Sequence, residues 1–127
     1  MLPRLQKTIA KLQTNGVTLL AGSDIAADRV PGFSLQDELK ALGTAGLTPL
    51  QVLQTATLNP AKVMGRSADY GSVILGKIAD LLLPDQDPTK DVAALQQINA
   101  IVLHGRLLSR SDLDYQLRLA IQVADQN

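Results

Sequence analysis

The stretch Val17-Thr18-Leu19-Leu20-Ala21-Gly22-Ser23-Asp24 constrains this chain most. A short apolar run closes on a glycine, a serine and a carboxylate. Such a run, bounded by a turn signal, reads as a buried strand of a parallel sheet. Gly22 would let the backbone turn sharply, and Asp24 would stand just past the strand's carboxyl end. In barrels of alternating strands and helices, that end is where the chemistry is built. Upstream, Leu5, Ile9 and Leu12 recur at helical spacing over Pro3 to Thr14, and Asn15-Gly16 supply a stop. Helix, tight turn and buried strand make one α/β step.

The following segments carry start and stop signals of their own. Ile25 to Phe33 reads as a loop with Asp28 and Arg29, broken at Pro31-Gly32. Ser34 is expected to cap the next helix, with Asp37 in the capping-box position. Leu35, Leu39 and Leu42 would form its buried stripe, and Gly46 would stop it. Thr48-Pro49 pairs a cap with a first-turn proline, and Leu50, Leu53, Ala56 and Thr57 would continue the apolar face. Asn59-Pro60 repeats that logic for a short helix to about Met64. After Gly65, short apolar runs at Val73–Leu75, Ala79–Leu83, Ala100–Leu103 and Leu107-Leu108 read as strands of a small sheet. Asp85 to Asp91 reads as a polar loop. Ser111, with Asp114 three residues on, would cap a last helix with Leu113, Leu117 and Ile121 on one face. A soft boundary near Arg66–Tyr70 divides 1–66 from 67–127.

Composition excludes several function classes. Twelve basic and twelve acidic residues cancel, so there is no electrostatic case for nucleic acid or for an acidic membrane surface. No apolar run approaches the ~20 residues that span a bilayer, and Met1 to Lys7 is amphipathic rather than signal-like. Cysteine is absent, which removes disulfides and thiolate metal sites. With one phenylalanine and two tyrosines the core must be aliphatic. At 127 residues the chain is one domain's worth, and a closed barrel of about 250 residues does not fit.

Among single residues, Asp24 is the strongest candidate for chemistry; the bland alternative is an aspartate satisfying a turn. Asp28 and Arg29 sit where a loop could touch substrate, or could be a solvated charge pair. His104, the single histidine, sits in Val102-Leu103-His104-Gly105-Arg106, a strand running into a turn, and reads better as a surface residue than as a ligand. Ser23 has no neighbouring histidine base, so a nucleophilic triad is not supported. Asp80 reads as a residue satisfying turn amides. Asp85, Asp87 and Asp91 lack the glycine and closing glutamate of a calcium loop. Gly71 to Lys77 has the wrong spacing for a phosphate loop and reads as strand–turn–strand.

Taken in order, Gly22-Ser23-Asp24, Gly32-Phe33-Ser34-Leu35-Gln36-Asp37-Glu38-Leu39, Ala45-Gly46-Leu47-Thr48-Pro49, Ala56-Thr57-Leu58-Asn59-Pro60-Ala61, Gly71 to Leu83 and Val102 to Arg106 resemble the C-terminal part of metal-dependent amidohydrolases. The nearest group is the imidazolonepropionase-like and prolidase-like (Xaa-Pro dipeptidase) branch, and the resemblance runs from about Thr8 to Leu117. It implies an α/β fold: the last strand and helices of a metallohydrolase barrel over 1–66, then strands of the flanking β-sandwich lobe plus a C-terminal helix over 67–127. Pro84 departs from the pattern, standing where the family keeps an apolar strand residue.

The resemblance further implies hydrolysis of a C–N bond in a cyclic amide or a dipeptide-like substrate, with a divalent metal, zinc by default. Asp24 would ligate or border that metal and shuttle a proton from its bound water. The family's His-x-His pair, its lysine or glutamate and its further histidines have no counterpart here, so the isolated chain is expected to be inactive. The rival reading is a non-catalytic module that self-assembles or pairs with a separate N-terminal chain. Exposed strand flanks and helix faces lead to the expectation of a homo-oligomer.

Overall fold

Apolar spacing and glycine stops shape the N-terminal half into a small helical layer. The computed structural model describes residues 3–23 and 33–124. Helix α1 spans Pro3–Thr14. It ends where Gly16 takes a left-handed φ of 76°, which glycine adopts without steric cost. Helix α2 is Phe33–Thr44, α3 is Pro49–Ala56 and α4 is Leu58–Val63. Thr48 caps α3 with a reciprocal box: its hydroxyl accepts from the Gln51 N–H at 3.3 Å, and the Gln51 side chain accepts from the Thr48 N–H at 2.9 Å.

The run Val17–Ala21 is not a strand. No strand lies beside it among the described residues, and an extended segment becomes a ladder only with a partner. Two other bonds hold it. The Ala21 N–H donates to the Thr55 carbonyl at 3.0 Å, and the Asn59 side chain donates to the Leu19 carbonyl at 2.9 Å.

The helix faces differ from the simple apolar pattern. In α2, Leu39 and Leu42 are buried but Leu35 is exposed. The helix begins at Phe33, so Ser34 lies buried within its first turn rather than before it. In α3 the buried positions are Val52 and Thr55, both at 0% exposure, while Leu50 points to solvent. Thr55 tolerates burial because its hydroxyl donates to the Val52 carbonyl at 2.6 Å. Asn59 falls inside α4 rather than capping it, which frees its side chain to hold Leu19.

The C-terminal half is a three-stranded antiparallel sheet in the order β1-β2-β3, with β1 Leu81–Pro84, β2 Ile98–Leu103 and β3 Arg106–Leu108. Leu82 pairs with Ile101, and Ile101 pairs with Leu108. The register shifts between Leu83 and Pro84, where proline has no N–H to offer the ladder. Val73–Leu75 is a solvent-facing turn, with Val73 84% exposed. It is bent between Gly71 and Gly76, both at left-handed φ (88° and 89°). The sequence pattern also hid a 3-10 helix, Val92–Gln96, which buries Ala94 and Leu95. Its N-cap is Asp91, whose carboxylate accepts from the Ala93 N–H at 2.9 Å.

The core joins the two halves. Leu39, Leu42, Leu47 and Val52 from the helical layer pack with Leu95, and Ile9, Leu19, Ala21 and Leu53 pack against them.

Helix α5, Arg110–Ala124, starts directly off β3 and buries none of its residues. Its cap is Ser109 with Asp112, two residues before the Ser111–Asp114 pair, because the chain leaves β3 at Leu108 and Ser109 is the next residue. The Asp112 carboxylate accepts from the Ser109 hydroxyl at 2.6 Å and from its N–H at 2.8 Å. The Ser109 hydroxyl bond, and then the backbone one, hold the Asp112 carboxyl below the ordinary aspartate range. A depressed carboxyl pKa adds stability above its unfolded value, about 3.9, and loses it as pH falls through the folded value. Protection of the first α5 amides in hydrogen exchange should therefore fall below about pH 4. Asp112→Ala should give low protection there at every pH. Protection in the native chain that persists well below that range would refute this role for the cap.

Candidate functional site

The segment with the candidate chemistry is fixed at its base. Residues 17–23 run along α3 and α4, held by the Ala21–Thr55 and Leu19–Asn59 bonds. Leu19 and Ala21 pack on the core. This leads the chain to Ser23 with its backbone anchored on the most deeply buried part of α3. Gly22 has open space around the position a Cβ would take and no left-handed φ, so no local crowding demands glycine there. Asp24, Asp28 and Arg29 lie outside the described residues.

His104 is exposed in the β2–β3 turn, where it and Gly105 both take positive φ (48° and 80°). That geometry is the mirror-image turn that tight hairpins favour. The Asp80 carboxylate accepts from the His104 N–H at 2.7 Å and stands 3.7 Å from its Nδ1. Asp80 thus satisfies a turn amide, and His104 ends a hairpin. Asp87 also serves a turn, accepting from the Thr89 N–H and hydroxyl at 2.9 and 2.6 Å. Among the described residues no three of His, Cys, Asp or Glu converge as a metal-binding group. A tetrahedral zinc needs four ligands, so the described donor set does not fit a metal.

Two features escaped the sequence pattern. The first is a knot around Lys77. Its ammonium donates to the Ser67 carbonyl at 2.6 Å, the Tyr70 carbonyl at 3.2 Å and the Ser72 hydroxyl at 2.7 Å. Beside it, Arg66 pairs with Asp69 at 3.2 Å and lies 5.1 Å over the Tyr70 ring. The Gly71 to Lys77 segment, expected as strand–turn–strand, forms no strand and wraps instead around the Lys77 ammonium. The second is an open groove of about 930 Å³ between the helical layer and β1, walled by Leu39, Leu53, Ala61, Ile78, Leu82 and Leu95 among others. Its walls come from elements distant in sequence, so no single motif marks it.

The model of the amidohydrolase family matches residues 4–108. The chain belongs to the amidohydrolase family. Among solved structures, this amidohydrolase chain is similar to an Xaa-Pro dipeptidase with methionine bound in its active site, at 26% identity and a TM-score of 0.74, over 84% of this chain and 26% of that one. A candidate prolidase from Bifidobacterium longum shares 29% identity at a TM-score of 0.72, over 89% of this chain and 30% of that one. Molinate hydrolase shares 25% identity at a TM-score of 0.67, over 79% of this chain and 25% of that one. The chain therefore spans between a quarter and 30% of the length of these relatives. No curated protein sequence matches it. Among the described residues no helix is long and apolar enough to cross a membrane.

Proposed function

We propose that this chain forms the C-terminal part of a prolidase-branch amidohydrolase acting on a C–N bond in a cyclic amide or dipeptide-like substrate, and that it does not catalyse alone. The family match over residues 4–108, with a dipeptidase and a candidate prolidase among the similar structures, carries the reading. In this reading 1–66 supplies the end of a barrel, with the extended run 17–21 becoming its last strand only when a neighbouring strand of the complete enzyme lies beside it, followed by the helices. Residues 67–127 supply strands of the flanking sandwich lobe and the last helix. Asp24 follows the anchored segment 17–23 and is the proton-handling carboxylate. It would accept a proton as water adds to the carbonyl and deliver it to the departing amine. Asp28 and Arg29 would contact substrate from the loop beyond. A divalent metal, zinc by default, belongs to the complete enzyme, and most of its ligands would come from other polypeptide.

Elemental analysis of the purified chain after chelation and zinc reloading tests this. Far less than one metal per chain is expected, with no cleavage of Xaa-Pro dipeptides. One tightly held metal per chain, lost in Asp24→Ala, would mean that a site assembles without further polypeptide, and the inactive-portion reading would fall. The coding sequence upstream of Met1 gives a second check. A continuing frame with His-x-His after a strand supports the enzyme portion.

The second reading is the non-catalytic module that assembles with itself, as a homo-oligomer, or with a separate N-terminal chain. The open apolar groove favours it. A stop codon immediately upstream of Met1 would strengthen it.

A further inference from the structure

We propose that the Ser67 and Tyr70 carbonyls and the Ser72 hydroxyl form a recognition cradle for a primary alkylammonium, which this chain fills with its own Lys77. The passage from the helical layer to β1 keeps its shape only while that cradle is filled. The acceptors stand ten, seven and five residues before Lys77, so the cradle is complete within this chain. It depends neither on further polypeptide nor on whether the chain is an enzyme portion or a separate module.

The first observation is a match of donors to acceptors. An ammonium carries three N–H donors and no acceptor. Lys77 directs them at three oxygens, at 2.6 Å (Ser67), 3.2 Å (Tyr70) and 2.7 Å (Ser72). Neither carbonyl accepts another hydrogen bond among the described residues. A water brings fewer donors, and a guanidinium holds its donors in a planar fork, so neither reproduces the set.

The second is charge. No carboxylate pairs with Lys77 among the described residues, and Asp69 of the same loop pairs with Arg66 at 3.2 Å. The positive charge is held by neutral oxygens alone. Hydrogen bonds with one charged partner are about twice as strong as those between neutral groups.

The third is what the ammonium holds. Tyr70 and Ser72 flank Gly71, whose backbone lies against Ala61 and Leu58 of α4. The ammonium therefore clamps the chain on both sides of that close approach. Other ties are few. The Ile78 N–H donates to the Asp69 carbonyl at 3.0 Å, and the Lys77 N–H to the Ile74 carbonyl at 3.2 Å. Val73, Ile74 and Leu75 at the tip are exposed and add little burial.

Hydrogen exchange at the Tyr70 and Ile78 amides, in the native chain and in Lys77→Ala, tests the proposal. Exchange should rise about tenfold or more in Lys77→Ala, the loss expected when hydrogen bonds to a charged group are removed. Propylammonium chloride replaces the missing stem and ammonium and should return the variant towards the native rate. Tetramethylammonium chloride at equal concentration brings the charge without N–H donors and should not. The native chain should ignore both salts. Lys77→Arg should stay loose despite its charge. An unchanged rate in Lys77→Ala overturns the proposal, and so does a variant that both salts restore alike or that neither restores. If Lys77→Ala fails to fold, the native chain decides. By heteronuclear NMR its Lys77 ammonium hydrogens should exchange with water about tenfold more slowly than those of the other lysines. Ser72→Ala should shrink that difference. Equal exchange at all lysines, or a slow Lys77 signal that ignores Ser72→Ala, overturns the cradle.

Discussion

Leu95→Ala is expected to lower the unfolding free energy by about 2–5 kcal/mol, the range for truncating a buried leucine. Leu95 is 7% exposed and is the C-terminal member of the buried cluster with Leu39, Leu42, Leu47 and Val52. It reaches that cluster from a five-residue 3-10 helix, an element with little intrinsic stability. Truncation therefore removes contacts on both sides: the helical layer loses a packed side chain, and the turn loses its anchor. Urea unfolding followed by circular dichroism measures the loss. Hydrogen exchange should show the Val92–Gln96 amides opening before those of α2 and α3. Leu50→Ala is the control. Leu50 sits on the same helix as Val52 but is 55% exposed, so the change should stay within about 0.5 kcal/mol. Equal losses in the two variants would mean that the cluster does not join the halves as described.

Gly71→Ala should cost about 2–4 kcal/mol, from two penalties that coincide at one atom. Gly71 has a φ of +88°, and an added Cβ would lie 2.8 Å from the Ala61 Cβ and 3.0 Å from both the Leu58 Cα and the Thr57 carbonyl oxygen. Two of these neighbours are backbone of the α3–α4 corner and cannot rotate away. Gly76 separates the penalties, because its φ of +89° is nearly the same but nothing lies within 4 Å. Gly76→Ala should therefore cost only the backbone term, about 1 kcal/mol. The loop from Ser67 to Lys77 is also tied by the Lys77 ammonium. Gly71→Ala should release it, raising exchange at Tyr70 and Ile78, whose N–H groups donate to Arg66 and Asp69 carbonyls. Matching urea midpoints for the two alanine variants would contradict the close approach at Gly71.

Both substitutions act on the frame that carries the candidate chemistry. Leu19 and Ala21 pack on the cluster that Leu95 completes, and the Leu19 carbonyl is held by Asn59 of α4, the helix that Gly71 presses against. The base of the segment leading to Asp24 is thus set by helix packing rather than by a sheet.

Local chemistry in the sequence determined several helix boundaries here. Thr48-Pro49 with Gln51 fixes the start of α3, Asn15-Gly16 ends α1, and Gly46, with a φ of 103°, follows α2. These signals act within a few residues, so they are readable without knowing what lies nearby. The order of short motifs from Gly22 to Arg106 likewise led to the amidohydrolase family. Tertiary structure decided what depends on a neighbour. Val17–Ala21 has the composition of a buried strand, but a strand is a relation between two segments, and here α3 and α4 take the place of a pairing partner. Leu50 and Leu35 have the hydrophobicity of core residues, yet Val52 and Thr55 lie where α3 meets the layer. Ser109 rather than Ser111 caps α5 because β3 ends at Leu108. The groove along β1 is set by elements far apart in the chain, whose distance and angle no local pattern encodes.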